Sequence, residues 1–517
     1  MLTKKISKLH EVIKNNKSIS ILVTFAFAYY IVSAIINKPW YDELYTYYTF
    51  ICRGPIYSAI HWPLPNNHIG FSVLSSCLNI FGSSFVSLRG LSIIAATANV
   101  ILLYSVMKEF VSKELATVCA IVYICAGEVN KLAIQGRGYT LAVTCLLVSL
   151  LSLTKIVKFE SVKRKHYIIF AISLAYGLYV LPSAVYWVIP ICVSGGLYLL
   201  LTKRFKCLVR LIIYALLAAL ATFVLYSVVW LATGANYISK DSSSAFYGIN
   251  QAVIAVKAPG LSWIRGFRAM MANPFIQPIE RGNVISGMPA YFKYDIFHSY
   301  YARCGLAIIV ILVLSLIYNF YVAFKDKSYK KFIHLYIVLN MVLLPLILIA
   351  QSVLPFTRVL SFFVLIVAMA LISLADGIAA LAKRTDFKRF RVTEYVLMVC
   401  AMAYLIVTNP NVNCADRETQ IYKLLKTYDA SAVNNIFYTD DYQKYVIKYY
   451  FDETPQETNF ENADYLMIYD GQISDELGTP WPEMILFDSE KMAYVEKNYT
   501  LERRFGSYSL WKIKNGS

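Results

Sequence analysis

Two acidic residues and a later histidine follow the first long apolar run of the sequence, and their types could do chemistry. Asp42 and Glu43 are adjacent within an aromatic stretch, and Asn67 and His68 follow them along the chain. Neighbouring carboxylates beside a membrane span are costly unless they stay hydrated or take part in a reaction. We therefore expect Asp42 and Glu43 to form the centre of an active site on the outer membrane face, with the apolar helices as its scaffold.

Three arginines, Arg89, Arg137 and Arg358, fall at the outer ends or outer turns of the predicted spans. Outer turns of membrane proteins are usually poor in Lys and Arg, and a planar guanidinium matches the oxygens of a phosphate. A carboxylate can take the proton of an acceptor hydroxyl, while arginines stabilise a departing phosphate. The set is therefore suited to moving a group from a lipid phosphate. One base that directs attack at an anomeric carbon would invert its configuration.

The order of these motifs resembles that of the GT-C glycosyltransferases. The similarity is to their polyprenyl-phosphate-sugar-dependent branch, which includes protein mannosyltransferases and the lipid A aminoarabinose transferase. In that branch an Asp-Glu-x-x-Tyr motif follows the first span, and a segment bearing His, a short apolar helix, Phe-Gly and an arginine come next. The corresponding segments here are Asp42–Tyr47, Asn66–His68, Phe81–Gly82, Leu88–Leu91, Arg137–Tyr139 and Pro355–Arg358.

The resemblance implies a role for each candidate residue. Asp42 would be the general base, and Glu43 would orient it, bind a metal or the acceptor, or itself act as the base. The implied donor- and phosphate-binding residues are His68, Asn67, Arg89, Arg137 and Arg358. Some members of the branch bind a divalent metal and others do not, so a divalent metal held by Glu43 and His68 is possible here. The chain has Asn66-Asn67-His68 where several members have His-Pro-Pro or Glu-Lys-Pro, which leaves metal use open.

Composition indicates a polytopic α-helical membrane protein. Hydrophobic residues make up 58% of the 517 residues and charged residues 16%, whereas soluble domains are about one quarter charged. The net charge of +17 comes from basic clusters in short loops between apolar runs, where Lys and Arg act as orientation signals. We therefore expect no nucleic-acid partner.

The basic loops also predict the topology. The run at 69–81 is too short to be a typical span, and such segments are often interfacial or re-entrant. If it does not cross, the basic connections near residues 155–166, 203–210, 325–331 and 383–391 all share the side of the basic N-terminus, as cytoplasmic loops should. The eleven predicted spans, the first of them retained, are 19–36, 86–107, 115–135, 139–157, 167–183, 185–201, 208–232, 302–323, 331–351, 358–381 and 393–408.

Two domains are expected. Residues 1–410 would form a GT-C-like transmembrane catalytic module with outer loops 37–85 and 233–301. Residues 411–517 hold 18 acidic and 11 basic residues, and their pattern predicts a small extracytoplasmic α/β domain. Its predicted elements are a helix at 418–428 and strands at 435–439, 465–469, 484–487 and 508–513.

These features predict a bacterial plasma-membrane enzyme that takes a polyprenyl-phosphate sugar as donor. The acceptor could be a glycan, a lipid or a protein, and the sequence does not name the sugar. The alternative is a multi-span transporter or flippase without glycosyl transfer. Transporters place ionisable residues near the bilayer midplane, whereas here the span centres are nearly free of charge and the polar groups gather at one face.

Overall fold

A computed structural model describes residues 16–62, 66–239, 249–271, 279–301, 305–381, 387–408, 416–426, 435–452, 460–469, 485 and 487–514. The chain divides into two compact units. The first unit comprises residues 1–34 and 49–412, and the second comprises residues 35–48 and 413–517. The segment that carries the acidic pair is thus grouped with the C-terminal residues.

Helices account for most of the described chain. The helices of its first part are α1 (Lys17–Ile36), α2 (Tyr41–Thr49), α3 (Pro55–Ile60), α4 (Ile69–Leu78), α5 (Leu91–Met107), α6 (Lys113–Ile124), α7 (Gly127–Ala133), α8 (Tyr139–Lys158), α9 (Arg164–Val180), α10 (Val185–Leu201), α11 (Phe205–Ser239), α12 (Ile249–Lys257), α13 (Pro259–Met271), α14 (Arg281–Ala290) and α15 (His298–Tyr301). The later helices are α16 (Gly305–Lys325), α17 (Lys331–Gln351), α18 (Phe363–Leu381), α19 (Phe387–Thr408), α20 (Asp416–Leu425), α21 (Asp441–Phe451) and α22 (Ser489–Asn498).

The predicted polytopic helical architecture is confirmed. Within the described residues, eight helices are long and apolar enough to cross a membrane, or nine if the bent pair α6–α7 is one span. Two of the eleven predicted spans correspond to α9, which has 17 residues, and to α19, whose apolar part is Val392–Thr408. The apolar segments Arg164–Val180 and Val392–Thr408 are shorter than each of the other eight helices.

The centre of the first unit lies around α8, which packs against α5 and α9. About 72% of the α8 span is buried, whereas only 11% of the α11 span is. A long apolar helix that buries little of itself in protein must face lipid, because leaving it in water would be costly. The bundle therefore has α8 in its interior and α11 at its lipid-facing side.

The segment at 69–81 forms α4 followed by a 3₁₀ turn, Asn79–Phe81. At 1.5 Å per residue, α4 is roughly 15 Å long, about half the hydrocarbon core of a bilayer. Its serines, Ser72, Ser75 and Ser76, are buried, and the Ser76 hydroxyl lies 2.8 Å from that of Ser58 in α3. The helix is therefore too short to cross, as predicted.

The expected outer loop at 233–301 is largely helical where it is described. It contains the end of α11 and helices α12 to α15, with a π-helical turn, Tyr291–Phe297. Apolar residues recur in α13 at helical spacing, and Trp230 of α11 stacks edge-on against Trp263 and Phe267 of α13. Aromatic packing therefore stabilises helices in the region expected to be an outer loop.

The second unit contains a four-stranded sheet with strand order β1-β2-β4-β3. The strands are β1 (Ile436–Tyr438), β2 (Tyr465–Tyr469), β3 (Tyr499–Phe505) and β4 (Tyr508–Ile513). Strand β1 is parallel to β2, and the β2–β4 and β3–β4 pairs are antiparallel. Its small α/β fold agrees with the sequence prediction.

Three predicted strands of this unit correspond to β1, β2 and β4, and the predicted helix at 418–428 corresponds to α20. Most of the predicted strand 484–487 and the end of that helix lie outside the described residues. Sequence reasoning missed β3, α21 and α22. Strand β3 has an irregular register at Leu501/Arg503, which interrupts the alternation of apolar and polar residues on which strand prediction depends.

Candidate active site

His68 is a predicted site residue that lies buried in the first unit. It is 4% exposed, directly before α4. Its Nδ1 accepts a hydrogen bond from the Gly138 N–H at 2.9 Å, and its Nε2 lies 3.2 Å from Nη2 of Arg137. The ring also packs edge-on against Tyr139, with centroids 4.8 Å apart. The structure thus brings together two residues that are 69 positions apart in the chain.

Burial holds the pKa of His68 well below its ordinary value, and the positive charges of Arg137 and Arg358 act in the same direction. The ring is therefore neutral near pH 7. Because Nδ1 accepts the Gly138 bond, we assign the single proton to Nε2. The Nε2–H and the Arg137 guanidinium are then neighbouring donors, an arrangement suited to an anionic oxygen that accepts from both.

Two glycines allow this approach. A Cβ at Gly138 would lie 2.7 Å from Val180 Cγ1 and 3.1 Å from His68 Cβ, and a Cβ at Gly136 would lie 2.6 Å from the Leu88 carbonyl oxygen. Contacts below 3.0 Å are not tolerated by real side chains. Arg137 is consequently held between two points where the chain passes close to its neighbours, and its guanidinium also donates to Oδ1 of Asn66.

Arg358 lies in a 3₁₀ turn, Thr357–Leu360, and is half-buried. Its guanidinium is 4.8 Å from the centroid of the Phe356 ring. Buried tyrosines fix the ends of this segment, because the Tyr291 hydroxyl donates to the Pro355 carbonyl and the Tyr300 hydroxyl donates to the Leu360 carbonyl. The charge of Arg358 reaches His68 electrostatically, so it belongs to the same positive region.

A crevice adjoins this region. It is lined mainly by apolar side chains, among them Tyr139, Leu181, Trp187, Val359 and Phe362. Tyr139 also contacts His68, and Val359 follows Arg358 in the chain. The two donors therefore lie near apolar side chains, and the crevice itself has room for about one water molecule.

Two predicted donor-binding residues are bound into the framework instead. Asn67 donates to the carbonyls of Ser58 and His61, both at 2.9 Å, and accepts from the Ser72 hydroxyl at 2.8 Å. Arg89 is 2% exposed, and its Nη1 donates to the Ala34 carbonyl at 2.6 Å. These contacts stabilise the loop before α4 and the end of α1, so a direct role in binding the donor stays a prediction for both.

The acidic pair lies in the second unit, at the start of α2. Asp42 is half-buried, and Glu43 is fully buried with its Oε2 accepting from the Trp40 N–H at 2.8 Å. That bond satisfies a donor at the start of α2, as in a capping box, and favours an orienting role for Glu43. The arginines belong to the first unit, so the meeting of acids and guanidinium groups stays a prediction.

Sequence reasoning missed Glu418, a residue of α20. This carboxyl group is 1% exposed, and its Oε1 accepts from the Tyr41 N–H at 2.6 Å. The two residues are 377 positions apart, and no local pattern distinguishes Glu418 from the other acids of the C-terminal region. Only the packing of α20 against the segment 35–48 reveals it.

The residues proposed for a metal do not fit one. Nδ1 of His68 is occupied by the Gly138 N–H and its Nε2 faces a guanidinium, which would repel a cation. Oε2 of Glu43 is bound to the main chain. Among the residues that the structure describes, no group of three or more His, Cys, Asp or Glu side chains is placed to hold a metal ion.

Comparison with known proteins supports the fold expected from the sequence. ArnT from Cupriavidus metallidurans, solved bound to undecaprenyl phosphate, matches with a TM-score of 0.54 at 9% sequence identity, over 96% of this chain and 98% of that one. This likeness shows the fold. The helical membrane fold with a small C-terminal sheet, expected from the sequence, is thereby confirmed, and the chain is a multi-pass membrane protein.

A protein-family model also matches part of the chain. Residues 69–231 match the model described as dolichyl-phosphate-mannose-protein mannosyltransferase. This range begins directly after His68 and includes Arg89 and Arg137. Among curated protein sequences, none matches the chain significantly.

Archaeal structures match less well. AglB, the oligosaccharyltransferase from Archaeoglobus fulgidus solved with an inhibitory peptide and a dolichol-phosphate, has a TM-score of 0.46 and 11% identity, over 86% of this chain. The Archaeoglobus fulgidus oligosaccharyltransferase in complex with Zn and sulfate has a TM-score of 0.49 and 15% identity, over 85% of this chain. The present chain spans about three fifths of their length, 64% and 62%.

Proposed function

We propose that this protein is an inverting glycosyltransferase that moves a sugar from a polyprenyl-phosphate donor to an acceptor hydroxyl. The observation that carries the proposal is the pair of buried donors at His68 Nε2 and Arg137, 3.2 Å apart. Such a pair suits the phosphate of an amphiphilic lipid. The family match over residues 69–231 and the ArnT-like fold support the same class of reaction.

In the proposed reaction, the acceptor oxygen attacks the anomeric carbon from the face opposite the phosphate. Asp42 takes the proton of the hydroxyl as the new C–O bond forms. The bond between the anomeric carbon and the phosphate oxygen breaks, and its electron pair stays on the lipid phosphate. Arg137 and Arg358 stabilise that growing negative charge. Each turnover therefore releases one lipid phosphate and inverts the anomeric configuration.

The proposal includes an orientation in a bacterial plasma membrane. The N-terminus and the basic loops lie in the cytoplasm, while residues 411–517 form a domain outside it. Glycans, lipids and proteins that carry a hydroxyl are the candidate acceptors. The positive-inside distribution of Lys and Arg supports this orientation.

The test uses the full-length protein reconstituted with radiolabelled polyprenyl-phosphate sugars that differ in the sugar. One of them should release lipid phosphate in an acceptor-dependent manner. Arg137→Gln should weaken binding of undecaprenyl phosphate, whereas the exposed Arg281→Gln should bind as the unsubstituted protein does. Transport of the lipid across vesicles without release of phosphate would refute the proposal in favour of a flippase.

A further inference from the structure

The start of α2 is held by two carboxyl groups from different parts of the second unit. The Trp40 N–H donates to Glu43 at 2.8 Å, and the next N–H, that of Tyr41, donates to Glu418 at 2.6 Å. Asp42 is the residue that follows. The first N–H groups of a helix have no partner within it, so Glu43 and Glu418 set where α2 begins and thereby how Asp42 is presented.

Aromatic and ionic contacts join α20 and α21 to the same segment. The Tyr41 ring stacks on Tyr442 of α21, with centroids 4.2 Å apart, and the guanidinium of Arg417 lies 4.3 Å from the Tyr442 centroid. Arg417 also bonds Asp440 at 3.0 Å. Glu418 therefore lies in a closely packed setting, so a change of its side chain should disturb Tyr41.

We propose that Glu418 is a positioning residue for the acidic pair, because its carboxyl group accepts the Tyr41 N–H and fixes the orientation of Asp42. The inference rests on the proposed function, in which Asp42 is the general base. In this inference the second unit contributes to the reaction by holding Asp42, the general base, in position.

The burial of Glu418 and the charges around it favour its neutral, protonated form. Burial raises the pKa of Glu418 to about 8, and the charge of Glu43 acts in the same direction, while hydrogen bonds from the main chain and the charge of Arg417 oppose the rise. The titratable groups that face Glu418 are Glu43 from the segment 35–48, Arg417 from α20, Tyr442 from α21 and Tyr508 from β4. At neutral pH the protonated form is therefore favoured.

The pKa shift has a definite sign. A carboxyl group whose folded-state pKa lies above its ordinary value of 4.5 stabilises the folded contact at low pH. That stabilisation is lost as the pH rises towards 8, because the opened state then binds fewer protons. Opening of the contact between Tyr41 and Glu418 should therefore become about tenfold more frequent for each pH unit between 4.5 and 8.

Three variants of the full chain test the inference. Glu418→Gln keeps an oxygen acceptor and is always neutral, and Glu418→Ala removes the acceptor. Asp416→Asn, an exposed residue in the same turn of α20, is the matched control for a lost carboxylate. Hydrogen exchange of the Tyr41 amide is compared between proteins at each pH, so that the intrinsic pH dependence of exchange cancels.

We expect the Tyr41 amide to exchange at least tenfold faster in Glu418→Ala than in Glu418→Gln. The exchange rate of the Tyr41 amide in the unsubstituted protein, divided by the rate in Glu418→Gln, should rise by about tenfold per pH unit from pH 5.5 to pH 7.5. Asp416→Asn should exchange at the same rate as the unsubstituted protein. A flat ratio together with unchanged exchange in the Ala variant would overturn the proposal.

Turnover distinguishes this inference from the proposed function. With whichever radiolabelled polyprenyl-phosphate sugar is turned over, Glu418→Gln should keep its kcat, and Glu418→Ala should lower kcat with little change in KM for the donor. If Asp42→Asn retained full turnover, the role of the base would be wrong, whereas the exchange results would still decide whether Glu418 positions α2.

Discussion

Replacement of Gly138 by alanine adds one methyl group, which should disrupt the proposed phosphate site. The added Cβ would lie 2.7 Å from Val180 Cγ1, 3.1 Å from His68 Cβ and 3.2 Å from His68 Nδ1. Ordinary van der Waals contacts begin at 3.4 Å, so Val180 or His68 must move by several tenths of an ångström. The movement breaks or lengthens the Gly138 N–H bond to Nδ1 that orients the imidazole.

The cost can be estimated from these contacts. An extra methyl in a packed interior costs about 1–3 kcal/mol, and a weakened hydrogen bond adds about 1 kcal/mol. The backbone does not oppose alanine, because Gly138 has φ −72° and ψ −6°; stiffening the unfolded chain returns about 0.4–1 kcal/mol. The net loss is therefore roughly 1–3 kcal/mol, and a comparable loss in binding would weaken affinity by about 5- to 150-fold.

The assay measures thermal unfolding in detergent and binding of undecaprenyl phosphate by the full chain. Gly282→Ala is the control, because a Cβ there meets nothing within 4 Å and alanine is a better helix former by up to about 1 kcal/mol. We expect Gly138→Ala to melt earlier and bind weakly, and Gly282→Ala to melt no earlier and bind normally. If Gly138→Ala binds undecaprenyl phosphate as tightly as the control does, the reasoning about His68 and Arg137 is wrong.

Four further outcomes are expected. Asp42→Asn should abolish sugar transfer while the protein still inserts and binds undecaprenyl phosphate; retained turnover would remove Asp42 as the base. Arg137→Lys keeps the charge but loses the planar fork, so affinity should fall roughly 10- to 150-fold for a lost charge-assisted hydrogen bond of about 1.5–3 kcal/mol; unchanged affinity would contradict phosphate contact. Because the pKa of His68 is lowered in the fold, stability should fall as pH drops below about 6.5, and His68→Asn should reduce that loss; equal acid sensitivity would refute it. A cysteine at exposed Glu490 should react with an impermeant reagent outside intact cells and one at exposed Ser161 should not; the reverse pattern would invert the topology.

The comparison of Arg137 with Arg89 shows where sequence reasoning stops. Both were predicted to contact the donor from the same argument, that an arginine at an outer turn needs an anionic partner. In the structure Arg89 donates to the Ala34 carbonyl, whereas Arg137 lies beside His68. A carbonyl oxygen and a phosphate oxygen are both acceptors for a guanidinium, and the sequence does not say which one is in reach.

The contacts of the segment 35–48 likewise could not be predicted from the sequence. The first apolar run and the aromatic stretch after it predicted a span and an outer loop of the transmembrane module. The structure groups this segment with the C-terminal residues, because Tyr41 stacks on Tyr442 and bonds Glu418. Aromatic surface is buried against whichever partner the topology supplies, so these contacts are not encoded in the local pattern.

The sequence by itself determined the helical membrane architecture, the small α/β unit and the choice of Asp42, His68 and Arg137 as candidates. Apolar length, residue periodicity and the side preference of basic loops act locally and can be read along the chain. The tertiary structure alone decided that Gly138 brings His68 to Arg137 and that Glu418 holds the start of α2. Burial and hydrogen-bond partners depend on which distant elements pack together, and no local signal carries that information.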